Sequence, residues 1–389
     1  MSVHGTTLNL LKSLTLLLPS HVLCLALAAQ TGSAPDQSVA FRRADHLKRG
    51  INTSHWFSQV YDPKGYTPEH FQGFTTADDI ALIRQMGFDH VRFSINPVPF
   101  LHSGQWDNIP ADYLAELDKA VNMILSRELA VIIDLHPESD FKRKLASDNG
   151  AVEQLADLWR ALAAHFASTD PERVFFEVLN EPELEDGYRW KGIQSRVVAA
   201  IRKGAPGHTI IAAGARWSAL DELLFMEPLG FENIIYNFHY YSPHIFTHQG
   251  ATWAGNLQHY MKGGVPYPSS PAMAGKLQSQ VPDELDRLYV TRYAYDAWGP
   301  ARIEAEIALA EAWAHQYNVP LTCNEFGVYR NFAAPDDRAA WIRDVRTILE
   351  KHGIGWTMWD YSGAFGVVTK KDGKATVDHA VLKALGLEK

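Results

Sequence analysis

The sequence predicts an α/β protein folded as a single-domain (β/α)8 TIM barrel, on three observations. From Gly50 onward, eight short runs rich in β-branched and aromatic residues alternate with helical patterns. Two of those runs end in a carboxylate, Glu181 and Glu325, and parallel α/β folds bind ligands at the C-terminal ends of their strands. No internal repeat or Ser/Pro-rich linker divides the 389 residues. Length alone leaves one barrel or two smaller domains open; the count of strand–helix units decides for the barrel.

Taken in order, the chain begins with Lys12 and an apolar run from Ser13 to Ala29, interrupted by Pro19 and His21 and containing the small-x-small site Ala26-Leu27-Ala28. This reads as a secretory signal peptide over residues 1–28, and so as a secreted or periplasmic protein with no stable membrane association after cleavage. Leu23 before Cys24, where a lipoprotein signal requires a small residue, argues against lipidation. Residues 29–49 are small, polar and charged without periodicity and read as a flexible leader, so the catalytic domain is expected over 50–389. Cleavage would take the 36 basic residues to 35 against 45 acidic ones, a net charge of about −10. That balance disfavours nucleic acid as a partner. Cys323 is then left alone, and a domain of this size rests on its core without disulfides.

The predicted strands fall near Ile51–Ser54, His90–Ile95, Val131–Leu135, Val174–Leu179, Thr209–Ala213, Ile234–Tyr240, Leu321–Asn324 and Gly355–Trp359. The glycosylation sequon Asn52-Thr53-Ser54 falls in the first and reads as chance. Between strands, Leu114, Leu117, Val121 and Ile124 after Pro110, and Val152, Leu155, Trp159, Leu162 and Phe166, repeat at helical spacing. One interval breaks the rhythm. Residues 242–299 carry Pro243, Pro266, Pro268, Pro271 and Pro282 with several aromatics; a structureless connection of that length is unusual, so it either holds short helices or walls the site.

The strand ends present Arg92, His136, Asn180 with Glu181, His239 with Tyr241, Glu325 and Trp359. Two carboxylates facing one cleft suit acetal cleavage between sugars, in which one protonates the leaving oxygen and the other attacks or stabilises the anomeric carbon. Arg92 is suited to holding Glu325 ionised, and a charged Glu325 to raising the pKa of Glu181. Asn180 can bond a sugar 2-hydroxyl, and Trp359 offers a flat face to a ring. Trp56, Trp106, Trp217 and Trp253 lie in predicted loops, where each is as readily explained by packing. Asp134 near His136 raises a metal site, but the first strand ends Asn52-Thr53-Ser54-His55-Trp56 without the His-x-His expected, by family analogy, of metal-dependent barrel hydrolases, so no metal or other cofactor is expected.

In order and at strand ends, these residues resemble glycoside hydrolase family 5, the retaining cellulase-like barrels of clan A, over nearly the whole mature chain. The resemblance implies Glu181 in Asn180-Glu181-Pro182 as acid/base and Glu325 as nucleophile. It implies supporting roles for Arg92, His136, Asn180, His239 and Tyr241, and Trp359 as a sugar platform. Pro137 departs from the pattern, since many relatives carry a second His there. The expected activity is retaining, endo-acting hydrolysis of β-1,4-glucan, with a polysaccharide or oligosaccharide as the partner. A β-mannanase or exo-β-glucosidase of the same fold is the alternative. A barrel that only binds polysaccharide would be expected to lose one of the two Glu residues, and both are present.

Overall fold

The computed structural model describes residues 35–101 and 105–388. The expected signal peptide, its cleavage site, Cys24 and residues 29–34 of the expected leader lie outside them. Eight parallel strands close a barrel: β1 (Arg49–Asn52), β2 (His90–Ile95), β3 (Ala130–Leu135), β4 (Val174–Glu177), β5 (Thr209–Ala213), β6 (Ile234–Tyr240), β7 (Leu321–Phe326) and β8 (Gly355–Met358), with β8 pairing β1. Each predicted strand is present, with ends shifted by at most two residues. Among the described residues, no helix is long and apolar enough to cross a membrane.

The two faces of each strand carry different chemistry. Outward residues such as Val131, Ile133, Val174, Phe176, Ile234 and Tyr236 pack in the main hydrophobic core with the helices, including the expected ones at Ala111–Leu125 and Asn149–His165. Inward residues form layers. Ile132, Phe175, Ile211 and Ile235 make an apolar lower layer. Two residues further along the same strands, Asp134, Glu177 and Asn237 make a buried polar layer beneath the strand ends. The period of two along a strand delivers both layers from one alternation.

Part of the expected leader is structured instead. Ser38–Ala44 is a helix whose Ala40, with Leu47 beyond it, packs on the lower apolar layer. Arg43 is buried, donating to the Gly207 carbonyl at 2.6 Å and to Glu172 at 3.0 Å. The correction has a physical reason: the helix is only seven residues long and buries just Ala40 and Arg43, so it leaves no hydropathic stripe in the sequence. Asn52 is fully buried and bonded to Arg92, consistent with a chance sequon.

The interval after β6 holds short helices, His244–Thr247, Asn256–Tyr260 and Ala274–Gln278, then the longer Glu284–Tyr295. It also forms a wall. Ala251 packs with Tyr329 and Phe365 in a cluster that includes Tyr241 and Trp359, and the Thr247 carbonyl accepts from the Tyr329 amide at 2.8 Å.

Candidate active site

Neighbouring residues on a strand point to opposite faces, so bringing Asn180 and Glu181 together, or Asn324 and Glu325, requires the alternation to break. It breaks in two ways. Glu181 follows β4 with φ 44°, in the left-handed region, a conformation that costs a non-glycine residue about 1–2 kcal/mol and that often marks functional positions. On β7 the register slips: Phe238 pairs with Cys323 but His239 pairs with Glu325, leaving Asn324 as the extra residue. Such a bulge re-aims the side chain that follows it. Gly327, just past β7, is needed because a Cβ there would lie 2.3 Å from the Trp359 carbonyl oxygen.

All eight expected residues meet at the top of the barrel. Arg92, fully buried, is the hub. Its Nη1 donates to Glu325 at 2.7 Å and to Asn52 at 2.9 Å, and its Nη2 to Asn180 Oδ1 at 2.9 Å. The Tyr241 hydroxyl donates to the other Glu325 oxygen at 2.9 Å. His239 Nδ1 lies 3.0 Å from Glu181 and 3.5 Å from Glu325. His136 lies between Asp134, 3.0 Å from its Nδ1, and Asn180, 3.0 Å from its Nε2, and its ring stacks on Trp359 with centroids 5.8 Å apart.

The sequence reading did not pick out Glu177, Asn237 or Asn324 as site residues, and gave Asp134 only as part of a metal site. Asp134 pairs with Arg92 Nη2 at 3.1 Å. Glu177 receives Arg92 through both Nε, at 2.9 Å, and Nη2, at 2.7 Å. Asn324 donates to Glu177 at 2.6 Å and Asn237 at 3.4 Å. A signal was available: a charged residue inside an otherwise apolar strand must find a partner, and Arg92 on a nearby strand was its complement.

The loop tryptophans divide. Trp56 is core, bonded to the Phe71 carbonyl, and Trp106 stacks on Phe141. Trp217 and Trp253 are 52% and 61% exposed. Trp217 lies in a left-handed run, with φ 40°, 59° and 55° at Arg216, Trp217 and Ser218, and its amide donates to the Pro182 carbonyl at 2.9 Å, next to Glu181. Trp253 sits edge-on to Tyr329.

Burial pushes the Glu181 carboxyl upward, against the pull of Lys142, His136 and Arg92. Glu325 is also raised, by burial first and by Glu181, although His239, Arg92 and the Tyr241 hydrogen bond pull it down. The sequence expectation that Arg92 dominates at Glu325 thus neglected the cost of burying the carboxylate. Burial lowers His239 to about 4, so the ring is neutral at neutral pH. With its proton on Nδ1, it donates to one oxygen of Glu181 and leaves the acid's own proton to the other. Tyr241 is held well above its ordinary value by burial and by Glu325, so it remains a donor.

Glu181, His239 and Glu325 bring one donor atom each within 4.8 Å of one another, a set with the chemistry to hold a metal ion. Hydrogen bonds from His239 and Tyr241 account for the same carboxylates without one. The span also bears on the reaction. Inverting pairs leave about 6.5–9.5 Å for a water, whereas retaining pairs stand about 5–5.5 Å apart; these two groups approach within 4.8 Å, oxygen to oxygen.

Residues 49–365 match the profile of a family described as Cellulase (glycosyl hydrolase family 5). Endoglucanase 3 of Fibrobacter succinogenes is 28% identical over 362 residues, covering 88% of this chain and 53% of that protein, so the chain spans about half its length. Endoglucanase C of Acetivibrio thermocellus is 29% identical over 329 residues, 81% of this chain and 91% of that one. Cellodextrinase A of Ruminococcus flavefaciens is 27% identical, covering 79% and 83%. Among solved structures, endoglucanase Cel5A of Thermotoga maritima matches with a TM-score of 0.72 at 25% identity, covering 89% of this chain and 99% of that one.

Proposed function

The chain belongs to glycoside hydrolase family 5, the cellulase family, and from that premise we propose that it is a retaining, endo-acting hydrolase of β-1,4-glucan. The observation that carries the reading is the approach of Glu181 and Glu325 to within 4.8 Å, too close to admit the water of an inverting mechanism. Glucan as substrate is supported by relatives named endoglucanase and cellodextrinase.

Glu181, protonated and one quarter exposed to the cleft, gives its proton to the glycosidic oxygen while a Glu325 oxygen attacks the anomeric carbon. The carbon–oxygen bond to the leaving chain breaks and a glycosyl ester of Glu325 forms. Glu181, now ionised, takes a proton from water as it attacks, and Glu325 departs. Arg92 and Tyr241 hold the attacking carboxylate at 2.7 and 2.9 Å. Asn180 has one amide hydrogen left for the 2-hydroxyl, where bonding strengthens in the transition state. Trp359 supports the ring bound there. The N-terminal apolar run supports export, which brings the enzyme to a polymer it meets outside the cytoplasm.

The deciding experiment assays purified protein lacking residues 1–28 on carboxymethylcellulose, mixed-linkage β-glucan, glucomannan, galactomannan, xylan and short aryl glycosides. Internal cleavage of the first three, with a fast fall in viscosity per reducing end released, is expected. Activity on galactomannan alone establishes a mannanase. Activity confined to short aryl glycosides establishes the exo-β-glucosidase alternative, in which residues 242–299 close one end of the cleft.

A further inference from the structure

We propose that Glu177 is a positioning residue for the reaction: as the fixed counter-ion of Arg92, it aims one guanidinium nitrogen at Glu325 and another at Asn180. The inference rests on the two-carboxylate reading above and adds a buried carboxylate that never touches substrate.

The geometry separates Glu177 from an ordinary buried ion pair. A guanidinium presents its N–H groups in a rigid planar fork, so a bidentate partner fixes the whole plane. Glu177 takes the edge formed by Nε and Nη2. The remaining edge then has one direction, and it carries Nη1 to Glu325 at 2.7 Å and the outer side of Nη2 to Asn180 at 2.9 Å. Glu177 is itself fixed from behind. Asn324 donates to one of its oxygens and Asn237 to the other, and Asn237 Oδ1 accepts from the Asn324 amide at 2.8 Å. With N–H donors on both oxygens, the ionised carboxylate is the form these partners bind.

Charge gives Glu177 a second effect. The groups around Arg92 are Asp134, Glu177 and Glu325, with Glu181 and the neutral His239 and His136 beyond. Lys142, paired with Glu183 at 3.0 Å, is the nearby cation bearing on Glu181. Removing the charge of Glu177 leaves Arg92 less compensated and so favours the anion of Glu325. A neutral replacement therefore damages catalysis through misaim while moving the acidic limb of the pH profile to lower pH. A residue needed only for packing does neither.

The test compares Glu177→Gln and Glu177→Asp with wild type, on whichever substrate of the panel the wild type cleaves. Glu177→Gln is expected to lose about 10²-fold or more in kcat, to hold KM within about threefold, and to shift the acidic limb downward. Glu177→Asp keeps the charge but shortens the reach, so kcat falls while the limb stays in place. A folded Glu177→Gln with near-wild-type kcat overturns the proposal, as does an equal loss in both variants with neither limb moved. If Glu177→Gln does not fold, Glu177→Asp decides, and unimpaired turnover there overturns the proposal. A wild type that cleaves nothing on the panel sinks the hydrolase reading and this inference together, whereas an active wild type with indifferent variants sinks this inference alone.

Discussion

Asn180 Nδ2 lies 3.0 Å from His136 Nε2, while Asn180 Oδ1 accepts from Arg92, so the orientation of the amide is fixed from both sides. Asp134, 3.0 Å from His136 Nδ1, holds the proton on that nitrogen and leaves Nε2 as the acceptor that Asn180 needs. The amide keeps one free hydrogen. Asn180→Ala should therefore lower kcat/KM on aryl β-cellobiosides by about 10²-fold, a loss of roughly 3 kcal/mol of transition-state stabilisation. The same variant on 2-deoxy analogues should lose far less. Equal losses on the two substrates would count against a 2-hydroxyl contact.

The two carboxylates should separate by chemical rescue. Glu181→Ala should still be glycosylated by substrates with activated leaving groups, and azide should restore turnover as a β-glycosyl azide. Glu325→Ala should give the α-azide. NMR of the products reads the configuration directly, and the reverse pattern exchanges the two roles.

The pH profile of activity should be a bell whose limbs belong to the Glu181–Glu325 pair, with both groups raised from the ordinary carboxyl range. Glu181→Gln should abolish the upper limb in the residual activity. His239 cannot supply that limb, because burial lowers it to about 4 and it has lost its proton well before neutrality. A persisting upper limb in the variant would return the assignment to another group.

Stability gives an independent check with a definite sign. The folded pKa of Glu181 is raised, so the native state binds that proton more tightly than the unfolded chain does. Stability therefore falls as pH rises from the unfolded value, about 4.3, through the folded one, and the full penalty remains above both. Glu181→Gln should raise Tm at pH 7 by roughly 1–3 °C. The gain should vanish at about pH 3, well below the unfolded value, where both states are protonated. Calorimetry at the two pH values tests it.

The exposed tryptophans should act at opposite ends of the cleft. Trp217 adjoins Pro182 and so the proposed acid Glu181, while Trp253 sits on the Tyr329 and Phe365 cluster near Trp359. Trp217→Ala should slow cleavage of long glucans more than that of aryl cellobiosides with small leaving groups. Trp253→Ala should raise KM for long glucans and spare the shortest glycosides. Product distributions from cellopentaose distinguish the two.

The barrel and its pair of strand-end carboxylates were legible because each rests on a local pattern: alternating strands and helices, and a Glu that ends an apolar run. The buried polar layer was legible only as lone charges inside apolar strands, because its pairing exists only across strands. Asp134, Glu177 and Asn324 become a unit through the closure of the barrel around Arg92, and nothing in their spacing along the chain records that they meet. The aim of Glu325 was equally hidden, since it depends on a register slip between β6 and β7. The helix at Ser38–Ala44 escaped because alanine contributes little to any hydropathy signal.

That helix has a consequence for how long the enzyme survives proteolysis. Ala40 and Leu47 cover the lower layer of Ile132, Phe175, Ile211 and Ile235, at the opposite end of the barrel from the catalytic carboxylates. A protease that trims the chain to near Gly50 would leave every catalytic group in place and open the floor beneath them. Such trimming would shorten the working life of the enzyme while leaving its initial rate untouched, so residues 35–49 set its durability against proteases.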